Sequence, residues 1–362
     1  MRFKGLRQVS YSVSSKICRI YIAKGLAFNE ELWPGLLKGS RKVCLVTDSV
    51  VYRSLGRRLE RVLKRPLVVL LPGGEQAKRW KQVERLQTRM VQAGLGRDST
   101  LIALGGGIVS DAAGLAAATY MRGIRWITVP TTLVGQVDSG IGGKTAVNLP
   151  NGRNAAGAFH QPEAVVCDAD MLAGLDKRAI VSGVCEMVKY ALLFSPAFLD
   201  SIRHHWRELM LLDEGVLVPS IAHCAQWKAE IVSQDEREER GIRQLLNLGH
   251  TTGHALETLT DFKSFTHGEA VLWGMRLAVR LSVVKRLLSP AVAEDMDSFL
   301  VQIPVPDLPA GLNAGALWSA MRSDKKRIAG EPVFVLLQGV GKPVLDATVE
   351  RKELEAALRG IP

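Results

Sequence analysis

Three side chains with metal-ligand chemistry recur in the second half of the chain. They are Glu186 in SGVCEMVKYALL (182–193), His250 in LLNLGHTTGHALE (245–257) and His267 in FTHGEAV (265–271). One carboxylate and two imidazoles leave a four-coordinate ion one open position, as catalytic rather than structural zinc sites do. Glu186 lies in an otherwise apolar helical stretch with Lys189 one turn on. A buried carboxylate there must be paired, ligating or catalytic; an intrahelical Glu–Lys pair is the simplest alternative. Any one of the seven histidines could equally be a satisfied core or surface residue. His254 follows His250 by four residues, which puts both imidazoles on one helical face.

A second group of candidates lies earlier and suits phosphate. TLIALGGGIVSDAAGLAAATYM (100–121) runs an apolar strand into Gly105, Gly106 and Gly107 and then into a small-residue helix. Glycines admit a ligand close to the backbone, and the helix start offers free N–H groups to a pyrophosphate. The pattern is neither G-x-G-x-x-G nor a Walker A loop, so a plain strand–helix turn is the alternative reading. LLPGGEQAK (70–78) repeats the theme, with Glu75 able to accept ribose hydroxyls and Lys78 able to face a phosphate, or both merely capping a helix. The stretch 129–162 gathers Thr131, Thr132, Asp138, Lys144, Asn148, Arg153, Asn154 and His160 among six glycines. Its hydrophobic beads argue for an ordered, ligand-binding loop rather than a linker.

Short runs at 42–48, 66–71, 100–104, 125–129 and 164–168 are apolar on both faces, as buried parallel strands are. Helical stretches near 50–64, 76–94 and 110–121 separate them, which predicts a Rossmann-like α/β domain with a parallel sheet. After about residue 170 helix follows helix (176–194, 196–211, 215–235, 247–260, 267–288, 290–301, 313–326), with one β-like piece at 332–337 and a last helix near 349–359. The expected division is an α/β domain over 1–170 and an all-helical domain over 171–362.

Composition narrows the function classes. Apolar residues make up 47% of the 362 and charged ones 23%, a balance that excludes a disordered chain. No apolar run reaches the ~18–20 residues of a membrane span, and the basic N-terminus has no apolar block behind it as a secretory signal would. The five cysteines are scattered without a CxxC pair, so neither a zinc ribbon nor a disulfide framework is indicated. A cytoplasmic protein is expected. The net charge of +11 is spread over 47 Lys and Arg with no arginine-rich arm or aromatic platform, which argues against nucleic acid; a small anionic ligand explains only part of it.

Taken together, PGGEQAK, GGGIVSDAAGLAAATYMRG, VPTTLVGQVDSGIGGKTAVN, GRNAAGAF, CEMVKY, KAEIV, LLNLGHTTGHALE, HGEAV and DKK resemble the 3-dehydroquinate synthases, in order and at matching separations over about 43–338. GGG-x-x-x-D alone is shared with glycerol and iron-dependent alcohol dehydrogenases. The resemblance implies an NAD-dependent, zinc- or cobalt-dependent cyclase of the shikimate pathway that serves aromatic amino acid biosynthesis. It would turn 3-deoxy-arabino-heptulosonate 7-phosphate into 3-dehydroquinate and phosphate through transient oxidation, phosphate elimination, re-reduction and aldol closure. By the same resemblance Glu186, His250 and His267 are metal ligands. Asp48, Gly74, Glu75, Gln76, Lys78, Gly106, Gly107, Ile108, Asp111, Thr131, Thr132, Asp138, Lys144, Arg153 and Asn154 would hold NAD. Arg122, Lys144, Asn154, Lys189, Lys228, Arg243, Asn247, His254 and Lys325 or Lys326 would face the substrate. A homodimer is implied, with Arg122 reaching the substrate phosphate of the neighbouring subunit.

The departures from the family pattern are local. Arg153 stands where many members have Lys, Gly140 replaces a Ser, and Thr252 replaces a common aromatic. DEREERGIR carries one extra residue, which leaves open whether Glu238 or Glu239 takes the family carboxylate's place. Another sugar phosphate cyclase and a metal-dependent polyol dehydrogenase are the enzymatic alternatives; a basic module binding a polyanion is the non-enzymatic one.

Overall fold

The computed structural model describes residues 3, 5–13, 16–150, 152–323, 327–328, 331–346 and 348–359. The chain divides into two compact units, one of residues 1–175 with 212–237 and the other of 176–211 with 238–362. The division at 170/171 expected from sequence texture therefore needs correction at one element. Helix Glu214–Gln234 packs on the sheet of the first unit rather than continuing the helical half.

The first unit is built on a seven-stranded sheet ordered β1-β2-β9-β6-β5-β3-β4. The five runs expected as buried strands form β3 (Val43–Asp48), β4 (Leu67–Leu71), β5 (Thr100–Gly105), β6 (Arg125–Pro130) and β9 (Ala164–Asp168), all parallel. β5 and β9 are buried along their whole length, which is why their sequences are continuously apolar. β1 (Arg7–Val13) and β2 (Lys16–Ala23) extend the edge; β2 runs parallel to β9, and β1 closes antiparallel on β2. Helices Trp80–Gln92 and Gly107–Thr119 cover one face with a core that includes Leu86, Met90, Leu101, Ala113 and Trp126. Leu26, Trp33, Leu45, Ile102 and Ile127 fill the other.

β3 is followed by β4 on one side, and the chain then crosses to β5 on the other. The order reverses between β3 and β5, and in such sheets ligands bind outside the carboxyl ends of the strands at that reversal. Asp48 ends β3 and Gly105 ends β5. The stretch expected as an ordered loop contains a two-stranded hairpin instead, β7 (Lys144–Leu149) with β8 (Gly152–Phe159).

The second unit is helical, with Lys177–Phe194, His250–Leu259 and His267–Val284 carrying most of the candidate site. It also contains the strand pair Phe334–Leu337 and Pro343–Asp346, the first of them read from sequence as β-like. Lys325 and Lys326 lie outside the described residues. No described helix is long and apolar enough to cross a membrane.

Candidate metal and dinucleotide centres

In the second unit the three expected ligands meet. His250 Nε2 lies 3.8 Å and His267 Nε2 3.4 Å from the same Glu186 oxygen, Oε1. The imidazole rings are 5.1 Å apart, and the ligand atoms of all three residues lie within 4.8 Å of one another. Lys189 Nζ sits 2.6 Å from Glu186 Oε2, with both side chains fully buried. Even so, neither carboxylate oxygen receives a properly directed hydrogen bond. A buried carboxylate with unmet acceptor capacity, facing two imidazole nitrogens, suits a divalent ion of borderline softness. His254 flanks the cluster, its ring 5.5 Å from that of His250 and 5.9 Å from that of His267.

The helices bring these groups together through glycine. A Cβ at Gly268 would stand 2.0 Å from the Ser182 carbonyl oxygen, and one at Gly274 1.8 Å from that of Gly249. The His267 helix therefore touches the backbone of both the Glu186 helix and the His250 helix. Its N-terminus is fixed further by Gly268 N donating to Ser182 Oγ at 2.9 Å and by a capping box of Thr266 and Glu269. Arg178 grips the same Glu269 with two bonds, Nε to Oε1 at 2.8 Å and Nη2 to Oε2 at 2.6 Å, a fork geometry that holds direction as well as charge. Sequence reasoning gave Arg178 and Ser182 no part and left Glu269 without a role. Arg178 and Glu269, distant in sequence, meet only in the fold; the capping signal T-x-x-E before an apolar run was readable.

Desolvation opposes a charge on His267, but Glu186 and Glu257 more than offset it and push its pKa up to about 10. Its folded value thus lies above the ordinary one of about 6.5. In the metal-free protein the imidazolium adds stability that is fully present below pH ~6.5 and is lost as pH rises through about 10. An ion must displace that proton. Apparent ion affinity is therefore expected to rise with pH across this window, with a proton released on uptake. Calorimetry in buffers of different ionisation enthalpy checks this; uptake without proton release at pH 7 would contradict it.

In the first unit the expected dinucleotide residues gather at the carboxyl ends of the strands. Gly106 caps helix Gly107–Thr119 without any side-chain cap, so the N–H groups of its first turn stay available to an anion. A Cβ at Gly106 would come within 3.0 Å of Thr132 Cγ2, and one at Gly105 within 2.6 Å of Val109. Lys78, almost fully buried, bonds Asp111 Oδ2 at 2.5 Å and also Asn154 Oδ1. Asn148 Nδ2 and Arg153 Nη2 each donate to Glu75 at 2.6 Å, and Asn154 N donates to Asn148 Oδ1 at 2.9 Å. The hairpin thereby locks onto the Gly74–Ala77 turn. Asp48 spends Oδ1 capping the helix that follows it, bonding Val50 N and Val51 N. This cradle of bare helix amides and close-packed glycines at the strand reversal fits a dinucleotide.

Lys228 reaches the same unit from helix Glu214–Gln234, where it pairs with Asp138. Arg122 is not brought near these groups. It is exposed and follows the far end of helix Gly107–Thr119, a helix ~20 Å long. Arg243 is buried in the second unit, its Nε 4.0 Å from Glu238 Oε1. Glu238 adopts a left-handed φ of +61°, whereas Glu239 is exposed. Two of the departures also find local reasons. A Cβ at Gly140 would lie 2.5 Å from the Gly135 carbonyl oxygen. Thr252 lines a small cavity walled by Leu256, Trp273, Leu277 and Leu317, where a larger ring would have filled space.

The signature of the 3-dehydroquinate synthase N-terminal domain matches residues 68–182, and that of the C-terminal domain matches 183–327. The chain belongs to the 3-dehydroquinate synthase family. Within the family, a 3-dehydroquinate synthase from Acidithiobacillus ferrooxidans is 38% identical over 349 residues, spanning 95% of each chain. Among solved structures, 2-deoxy-scyllo-inosose synthase complexed with carbaglucose-6-phosphate, NAD+ and Co2+ superposes with a TM-score of 0.86 at 26% identity, covering 98% of this chain and 100% of its own. A 2-epi-5-epi-valiolone synthase from Streptomyces hygroscopicus subsp. jinggangensis, with NAD+ and Zn2+ bound, gives 0.83 at 27%, covering 99% and 98%. The 3-dehydroquinate synthase signatures meet between Ser182 and Gly183, inside the helix that carries Glu186.

Proposed function

We propose that this protein is a 3-dehydroquinate synthase of the shikimate pathway, a lyase releasing inorganic phosphate from 3-deoxy-arabino-heptulosonate 7-phosphate as it forms 3-dehydroquinate. The observation that carries the reading is the convergence of Glu186, His250 and His267 in a chain matching both 3-dehydroquinate synthase signatures. Its 38% identity to a protein of that name exceeds the 26% and 27% to the two other sugar phosphate cyclases. That difference favours the carboxylate-bearing substrate.

Glu186, His250 and His267 would hold one Zn2+ or Co2+, and the cradle of Gly106, Gly107, Ile108 and Asp111 with Gly74, Glu75, Gln76, Lys78, Thr131 and Thr132 would hold NAD. NAD supplies a reversible oxidation of a substrate alcohol, and the ion a Lewis acid for the hydroxyls beside it. The chain's own part is to bind and orient. Lys144, Asn154, Lys189, Lys228, Arg243 and Asn247 are assigned to the substrate's phosphate, carboxylate and hydroxyls, where charge-assisted bonds are the strong kind. His254 is assigned proton movement at a substrate hydroxyl. Glu238 rather than Glu239 takes the family carboxylate's place, because it is the one facing Arg243. Arg122 fits service to a partner subunit in a homodimer, since within its own unit it stands apart from the other groups. Asp48, Asp138 and Arg153 are assigned to shaping the cofactor cradle, and Lys325 or Lys326 remains a substrate contact. Five free cysteines, all buried, suit a reducing cytoplasm.

Incubation with the heptulosonate phosphate and substoichiometric NAD is expected to release one phosphate per substrate with no net NADH. Accumulating NADH, or phosphate release from glucose 6-phosphate or sedoheptulose 7-phosphate instead, would contradict the assignment.

A further inference from the structure

We propose that Glu257 is a positioning residue for the metal ligand His267, gripping the outer ring nitrogen so that the inner one faces Glu186. Glu257 lies on the His250 helix, seven residues after His250 and three after His254, and so shares their face. It is 9% exposed, and its Oε1 stands 3.5 Å from His267 Nδ1. On the opposite side of the same ring, Nε2 points at Glu186 Oε1 across 3.4 Å.

The other imidazole is arranged in the same way. His250 Nδ1 is 3.1 Å from the Leu248 carbonyl oxygen, while its Nε2 faces Glu186 Oε1. A neutral imidazole carries one N–H, and an acceptor at Nδ1 draws it there and leaves the Nε2 lone pair for an ion. One ligand is thus set by a backbone carbonyl two residues back, the other by a carboxylate from the adjacent helix. The two acceptors differ in charge, so the Glu257–His267 pair makes that imidazole the more electron-rich ligand.

His254, Glu257 and His267 could also be grouped as a second ion site. That arrangement would require His267 to present lone pairs from both nitrogens to two ions at once, giving up both protons. With Nε2 committed to the Glu186 cluster, a carboxylate at Nδ1 serves as an acceptor, not as a ligand.

The inference rests on the proposed ion site, and the test separates the two. Co2+ is titrated into the metal-free full chain and its variants, following the visible spectrum, stoichiometry and dissociation constant by chelator competition. The wild-type chain is expected to take up one Co2+, and Glu257→Gln one Co2+ with affinity about 10- to 100-fold weaker and a shifted spectrum. The metal-free melting temperature should fall modestly at neutral pH, since the His267 ring loses one of its two facing carboxylates. Glu257→Asp, which keeps the charge but withdraws it, should fall between the two. Equal affinity and spectrum in Glu257→Gln would overturn the positioning role alone. Weaker binding with an unshifted spectrum would make Glu257 a structural residue, and overturn it too. Two ions in the wild type, one of them lost on Glu257→Gln, would make it a ligand. No uptake by the wild type would remove the ion site and this inference together.

Discussion

Glu186→Ala is expected to abolish ion binding and turnover and to destabilise the metal-free chain by about 3–5 kcal/mol. The stability loss arises because the Lys189 ammonium, fully buried beside Glu186, loses its counter-charge, and a buried ion pair broken on one side costs that much. Glu186→Gln keeps the shape but not the charge. It should lower turnover by about 10³-fold or more, since a Lewis acid contributes several kcal/mol and each 1.36 kcal/mol is tenfold. The two effects separate in the double variant Glu186→Leu with Lys189→Met. Replacing a buried pair by apolar groups of similar volume is often neutral or stabilising, so this chain should melt well above Glu186→Ala, and below the metal-free wild type only by the lost attraction between Glu186 and His267, while binding no ion. Thermal unfolding and metal content after dialysis measure both. Ion retained by Glu186→Gln at wild-type stoichiometry would remove the carboxylate from the ligand set, and a double variant melting far below the wild type would show that the pair holds the helix in place.

The parallel sheet was legible because strands buried on both faces must be apolar throughout, and all five such runs form strands. β1 and β2 escaped that test. Their burial alternates, the mark of strands covered on one face, so neither reads as a continuous apolar run. The β7–β8 hairpin was hidden for a different reason. GRNAAGAF (152–159) is small and largely exposed, and a Cβ at Gly157 would meet the Thr145 carbonyl oxygen at 2.2 Å. What makes that strand is close backbone approach, and glycine there reads as loop. Helix Glu214–Gln234 was found at its boundaries, but periodicity fixes which face is apolar and not which unit covers it. The grouping of Glu186, His250 and His267 was suggested by side-chain chemistry. The groups packed around them were less legible, because Arg178, Ser182, Glu257 and Glu269 are ordinary residue types whose partners are set by helix crossing.

That crossing is where the second large effect is expected, at Gly274→Ala. In an exposed helix interior this change would favour folding by ~1 kcal/mol. Here the new methyl would begin 1.8 Å from the Gly249 carbonyl oxygen, and ordinary contact needs about 3.5 Å. A side chain could rotate away; a carbonyl at the head of a helix cannot, so the two helices must part by more than an ångström. Overpacking of a well-filled interior costs about 1–3 kcal/mol and occasionally more, and with backbone on one side the upper end applies. The displaced residue is Gly249, the immediate neighbour of His250. Metal–ligand distances tolerate only about 0.2 Å, so ion affinity should fall along with stability, by about the 10- to 100-fold that loss of ligand orientation costs. Gly174→Ala, with nothing within 4 Å of the added carbon, is the control and should leave melting and Co2+ uptake unchanged. A Gly274→Ala chain that binds Co2+ like the wild type would mean that the His250 and His267 helices are not held together by this contact. The ligand geometry would then have to be set by the side chains alone.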